Sequence, residues 1–224
     1  MNRPLKMDLH LHTWGSFDCL SPPEEVLAAA RARGVGRIAI TDHNSLEVAR
    51  EMAARYPNQV IPGEEVKTAE GVDVIGLYLK EEIPKGTPAR ETIGEIRKQG
   101  GVAYLPHPFA PGKGGGGRLA EELAPLCQVV EVLNGRLRPM ARNRMGEELA
   151  LRHGRLAGAG SDAHTLGEVG GVWLEVPSHP NEPIAFLEAL SQGRAGGVLS
   201  SRRVHLASTW AKIRKLFPQR SLEG

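Results

Sequence analysis

The sequence predicts an α/β domain, either a βα barrel or an open doubly wound sheet, on three observations. Apolar runs of strand length alternate with amphipathic helical segments along nearly the whole chain of 224 residues. Several runs are almost continuous in Val, Ile and Leu, the pattern of parallel strands covered on both faces. Strand followed by helix, repeated, is the signature of crossover connections.

The elements follow in order. Leu5–Leu11 is the first strand. Ser21-Pro-Pro-Glu24 reads as a capping box with proline in the first turn, opening a helix over Glu25–Arg33 that stops at Gly34. Arg37–Thr41 is the second strand, and Asn44 with Glu47 offers a start for a helix over Leu46–Arg55. Strands over Gln59–Pro62 and Val72–Leu79 come next, then a helix from Thr87-Pro88 to Gln99, ended by Gly100-Gly101. Val102–Leu105, Val129–Leu133, Leu156–Gly160 and Val172–Val176 are the remaining strands, with helices over Pro139–His153 and Glu182–Gln192. No composition shift or fixed-period repeat divides the chain, so it reads as a single domain over 1–224.

Two segments stand apart. Pro111-Gly-Lys-Gly-Gly-Gly-Gly-Arg118 fails the P-loop pattern and reads as a surface loop, or as a flap offering Lys113, Arg118 and backbone N–H groups to an anion. The tail Arg202–Arg220 holds six Lys and Arg and no acid, with Leu206, Trp210, Ile213 and Phe217 on one helical face. This predicts a basic helix over 200–220, packed on or beside the domain with its basic face solvated. An oligonucleotide-guiding surface or an anionic membrane contact are the other readings.

Composition excludes several classes. No apolar run reaches the roughly 18 residues of a membrane span, so no stable membrane anchoring is expected. The start lacks a secretory h-region, which predicts a cytoplasmic protein. Cys19 and Cys127 form no CxxC, against a disulfide scaffold or a thiolate metal site. A formal charge of +2 excludes a strongly basic nucleic-acid coat.

The eight histidines carry the functional signal. His10-Leu-His12 ends the first strand; period two puts both imidazoles on one side, with Asp8, and Leu9 and Leu11 on the other. Alone this is weak, since about 0.3 HxH pairs arise by chance at this composition. Yet Thr41-Asp42-His43, Gly63-Glu-Glu65, His107 and Ser161-Asp162-Ala-His164 also fall at strand ends, and Asp73 opens a strand. In a parallel barrel the C-terminal strand ends share one rim, where active sites are built. Imidazoles with carboxylates and no thiolate suit Zn²⁺, Mn²⁺ or Fe²⁺, and nine candidate ligands exceed one ion's needs, so two or three divalent ions are expected.

His10-x-His12 with Asp18, Thr41-Asp42-His43, Gly63-x-Glu65, His107-Pro108 and Ser161-Asp162-x-His164 resemble, in order, the motifs of the PHP (polymerase and histidinol phosphatase) family. The resemblance spans residues 7 to 176 and implies a distorted (β/α)7 barrel with a multinuclear metal site at the C-terminal ends of its strands. It implies one ion on His10, His12, Glu65 and Asp162, a second on Glu65, Asp73 and His107, and a third on Asp18, His43 and His164. Position 73 usually carries histidine in that family, and here it is Asp73. Glu65, Asp162 and His164 are the implied catalytic residues.

The implied function is a metal-dependent phosphoesterase using a metal-activated water on a nucleotide, a short oligonucleotide or another phosphorylated small molecule. Arg136, after a strand, is the first candidate for phosphate, with Arg118 and Lys113 behind it. A histidinol-phosphate-type phosphatase is one alternative. An amidohydrolase-type hydrolase is another, although no lysine ends a mid-barrel strand for a carbamate. A non-catalytic metal- or nucleotide-binding module is the last.

Overall fold

The computed structural model describes residues 4–112 and 114–217. Seven strands curl into a nearly closed barrel: Leu5–Leu11 (β1), Arg37–His43 (β2), Val60–Lys67 (β3), Asp73–Leu77 (β4), Val102–Leu105 (β5), Val129–Asn134 (β6) and Leu156–Gly160 (β7). Val172–Val176 (β8) and Arg194–Gly197 (β9) extend the sheet antiparallel beyond β1. The helices are Pro23–Ala32 (α1), Glu47–Arg55 (α2), Ala89–Lys98 (α3), Arg118–Leu123 (α4), Met140–Arg152 (α5), Pro183–Leu190 (α6) and Val204–Leu216 (α7). No helix among the described residues is long and apolar enough to cross a membrane.

The strands are apolar on both faces because they separate two cores. The inner one takes Met7, Leu9, Ala39, Ile61, Ile75, Tyr104, Val129 and Ala159, at least one residue from each barrel strand. The outer one packs Ile38, Ile40, Val74, Leu105 and Val130 beneath helix residues such as Val26, Ala30, Ile93 and Ile96. Each fully buried Leu or Ile contributes about 1.5–3 kcal/mol. In α3 the buried residues Ala89, Thr92, Ile93 and Ile96 follow the 3.6-residue period. The helix stops where Gly100 adopts a φ of 76° and Gly101 N–H reaches the Ile96 carbonyl at 3.0 Å.

Several local expectations are corrected. Strand β4 runs antiparallel to β3 and β5, so Val72–Leu79 is the return arm of a hairpin and not a parallel strand. This reversal has a consequence for the site: Asp73, at the start of β4, stands on the same rim as the C-terminal ends of the other strands. β3 also runs to Lys67, placing Gly63, Glu64 and Glu65 inside the strand. The capping box at Ser21 is absent, because its hydroxyl turns to the His164 carbonyl at 3.5 Å. Asn44 does not cap α2; its Oδ1 accepts the Lys67 N–H at 2.8 Å and ties β2 to β3. Helix α4 and strand β9 escape the sequence reading, being short and beside glycines that blur periodicity.

The largest correction concerns α7. Its stripe does not dock: Leu206 is 72% and Phe217 71% exposed, with Trp210 and Ile213 also exposed. Ser208 and Ala211 are buried instead, and His205, Thr209 and Lys212 line the mouth of the rim cavity, Lys212 staying half exposed.

Candidate metal centre

At the rim the alternation of β1 breaks. Met7 and Leu9 belong to the inner core but Leu11 to the outer, across a register shift between Asp8 and Leu11. Leu9 and Leu11 therefore do not share a side as period two predicts. Such a bulge re-aims side chains, and here it brings His10 toward the barrel axis above Leu9. Gly160 is required opposite, since a Cβ there would collide with the His10 backbone.

The nine sequence-derived candidates meet on one rim. Glu65 Oε2 lies 3.4 Å from both His10 Nε2 and His12 Nε2 and 3.0 Å from His43 Nδ1. Glu65 Oε1 accepts from His107 Nε2 at 2.9 Å. Asp162 Oδ1 stands 3.4 Å from His12 Nε2 and 3.8 Å from His10 Nε2. Asp18 Oδ1 is 3.3 Å from His164 Nε2 and 3.7 Å from His43 Nε2. Among the described residues, three overlapping triads have ligand atoms within 4.8 Å of one another: His10–His12–Asp162, His10–Glu65–His107 and His12–His43–His164. Asp73 stands outside these triads, with its carboxylate drawn to Lys67 Nζ at 2.6 Å.

Among the described residues, four buried atoms of the nine candidates have no hydrogen-bond partner: Asp18 Oδ1, Glu65 Oε2, His107 Nδ1 and Asp73 Oδ1, the last held only by its ion pair with Lys67. Burying unpaired acceptors costs roughly 1–3 kcal/mol each, and clustered imidazoles and carboxylates with bare lone pairs fit a divalent cation. Two residues sit in strained backbone, His107 at φ 25° and Asp162 at φ 53°.

Surrounding polar groups set the tautomers. Glu131 Oε1 takes His10 Nδ1 at 3.1 Å and Tyr104 Oη at 2.9 Å, leaving His10 Nε2 aimed at Glu65. Glu131 Oε2 accepts the His107 N–H at 2.7 Å and Asn134 Nδ2 at 2.9 Å. Ser16 donates its one proton to Asp42 Oδ1 at 2.7 Å, so its oxygen accepts from His12 Nδ1 at 2.9 Å. Asp8 does not orient a ring. Its carboxylate accepts Ser161 N–H at 2.8 Å, Ser161 Oγ at 2.6 Å and Gly170 N–H at 2.9 Å, fixing the backbone before Asp162. Glu131 and Ser16 belong to no motif, and nothing local in the sequence marks them.

Charge follows from this packing. Burial, then the nearby His164 and His43, pushes His12 down to about 3, keeping it neutral. Burial also disfavours charge on His43, but Glu65 and Asp18 outweigh it and raise its pKa to about 9. His10 ends well above the usual range, burial being overcome by Glu131 and Glu65. Glu65 ends well below it, burial being overcome by His43 and His10. Burial and Glu65 together raise Asp73 to about 6.

The cavity above the cluster measures about 650 Å³. Of the phosphate candidates, Arg136 lines it, yet its guanidinium is gripped by Glu168 at 2.6 and 2.9 Å, with Nη1 2.9 Å from Ser208 on α7. Arg118 is exposed at the start of α4 and is not among the lining residues. Lys113 lies outside the described residues. The glycine-rich segment is no free flap at Gly114, whose carbonyl accepts the Asp73 N–H at 2.8 Å. His205, unassigned by sequence, lines the cavity from α7.

Family models match twice, as "PHP domain" over residues 8–100 and as "PHP-associated" over 141–195. An uncharacterized protein of Methanocaldococcus jannaschii is 38% identical over 120 residues, covering 48% of this chain and 70% of that protein. The chain belongs to the PHP family. A 5'-3' exoribonuclease of Haemophilus influenzae is 30% identical over 103 residues, 43% of this chain and 37% of its own length. The solved lesion-specific endonuclease of Pyrococcus furiosus shares the fold at a TM-score of 0.67 and 12% identity, over 99% of this chain and 74% of that one. The PHP match divides the rim. His10, His12, Asp18, His43, Glu65 and Asp73 fall in the first matched segment, and Asp162 and His164 in the second.

Proposed function

We propose that this PHP protein hydrolyses phosphate esters of nucleotides or short oligonucleotides at the rim cavity. The observation that carries the reading is Glu65 Oε2, buried, without a hydrogen-bond partner among the described residues, and within 3.4 Å of nitrogens from His10, His12 and His43. His10, His12, Glu65 and Asp162 would hold one ion, Glu65, Asp73 and His107 a second, and Asp18, His43 and His164 a third, with Zn²⁺, Mn²⁺ or Fe²⁺ suited to these donors. Bound ions would supply a water activated near neutral pH and stabilise charge on the phosphate.

The chain's own groups do the rest. Asp162, with Oδ1 3.4 and 3.5 Å from His12 and His164, would orient the attacking water by accepting a hydrogen bond from it. Arg136 keeps donors unused by Glu168 and Ser208 and offers them to phosphate oxygens. Two free, buried cysteines accord with a cytoplasmic setting. The exoribonuclease relative supports the nucleotide class.

The test is a stripped protein reloaded with Mn²⁺, Zn²⁺ or Fe²⁺ and assayed on a phosphoester panel. Phosphate or mononucleotide release is expected only after loading, and not from His107→Ala. Inactivity across the panel after loading with each metal sinks the reading.

Loading also has a proton signature. Ligating imidazoles must be neutral, whereas His43, raised to about 9, and His10, held well above the usual imidazole range, hold protons near neutral pH in the metal-free protein. Metal binding is therefore expected to release protons, with affinity falling as pH falls. Calorimetry in buffers of different ionisation enthalpy reads this directly; a buffer-independent heat contradicts it.

A further inference from the structure

The turned helix α7 carries an inference of its own. His205, Thr209 and Lys212 follow one face of α7 and, with Arg202 in the turn before it, line the cavity with the metal-ligand candidates. The stripe read from sequence lies one position further on, about 100° around the helix, and stays in solvent. Acidic groups at the rim account for the choice: Lys212 Nζ is 3.7 Å from Asp18 Oδ2.

The cations of the cavity wall are not equivalent. Lys67 is paired with Asp73, Arg136 with Glu168, and Arg138 bonds the carbonyls of Ser200 and Leu199 at 2.9 and 3.0 Å. Arg202, also on the wall, has no carboxylate partner among the described residues. At the same mouth Phe17 is 53% exposed, with Lys212 Nζ 5.0 Å above its ring. Lys215 bonds the carbonyls of Trp14 and Ser16, fixing this loop to the helix. Arg202 without a carboxylate partner and the loosely paired, half-exposed Lys212, beside an exposed aromatic ring and leading into a cavity, are what single-stranded nucleic acid requires: charge for the phosphates and a face for a base.

We propose that α7 and the loop bearing Phe17 form a single-strand guide, in which Arg202 and Lys212 contact phosphates flanking the scissile one and Phe17 stacks the adjoining base. The proposal rests on the phosphoesterase reading above and deepens it to a polymeric substrate. It also gives a single phosphate ester no use for α7.

The test combines binding and turnover, using the full chain and a labelled oligoribonucleotide of about eight nucleotides. Arg202→Gln with Lys212→Gln should flatten the dependence of log affinity on log salt by about 1.4, two contacts at about 0.7 each. Arg202→Lys with Lys212→Arg should restore it. Phe17→Ala should weaken binding about tenfold and Phe17→Trp should recover it. In turnover, the double glutamine variant should lower the ratio of kcat/KM for the oligonucleotide to that for p-nitrophenyl phosphate by about tenfold. An unchanged slope, or equal losses on both substrates, overturns the guide. So does salt-insensitive binding that Trp210→Glu abolishes along with a dimer, which would assign α7 to self-association. Binding with the expected dependences but no ester hydrolysis would instead overturn the proposed reaction and leave the guide standing.

Discussion

Glu65→Gln is expected to lower hydrolysis by at least ~1,000-fold and to reduce bound metal, because one carboxylate is shared among the histidines that would hold the ions. The substitution keeps shape and removes charge. Oε2 lies within 3.4 Å of three histidine nitrogens, and Oε1 accepts from a fourth histidine, His107. An amide has no charge to set against two cations, and one of its ends donates where a lone pair is needed. The variant has a second readout in the metal-free state. Burial lowers the His43 pKa, and Glu65 is the main group that reverses this and brings it to about 9. With glutamine, His43 should titrate distinctly lower in an NMR pH series. Full metal content with an unmoved His43 would remove Glu65 from the centre of the site.

What was legible in the sequence divides along physical lines. Most of the candidate ligands announce themselves because their motifs end a strand, so that residues near in sequence are near on the rim: His10-x-His12, Asp42-His43, Asp162-x-His164. The strands announce themselves because both faces are buried. Two kinds of information were not local. Glu131, which fixes the His10 ring and the His107 backbone, sits on a strand that reads as ordinary β-sheet, and its role appears only when β5 and β6 are side by side. The reversal of β4 is likewise set by the short hairpin at 68–72, where Thr68 N–H meets the Val72 carbonyl at 2.9 Å. Helix α7 shows the opposite failure. Its amphipathic pattern is clear, but a pattern states which face is apolar and not which neighbour is acidic. Carboxylates gathered from β1, β3 and β7 make the rim attractive to lysine and arginine. That attraction exists only after the barrel has formed.

Glu168→Gln should cost about 3–5 kcal/mol, because it leaves the buried Arg136 charge without its partner. For a chain of this size that is on the order of 10 °C in melting temperature. Both side chains are almost wholly enclosed, 4% and 2% exposed, and the pair is bidentate. Glu168 also accepts from the His164 N–H at 3.2 Å and Thr165 Oγ1 at 2.9 Å, so the loss reaches the loop that carries His164. Through Ser208, Arg136 in turn ties α7 to the barrel. Replacing both members with apolar residues, Arg136→Met with Glu168→Leu, should recover most of the stability, since no buried charge is left uncompensated. The pair of variants separates two roles for Arg136. If it only holds the wall together, the stable double variant keeps its turnover. If it also contacts phosphate, the double variant melts near wild type yet shows a raised KM, and this second outcome is the one its unused donors predict. A single variant as stable as wild type would show instead that Asp162 and Asp18, whose charges also act on Arg136, suffice to hold the guanidinium.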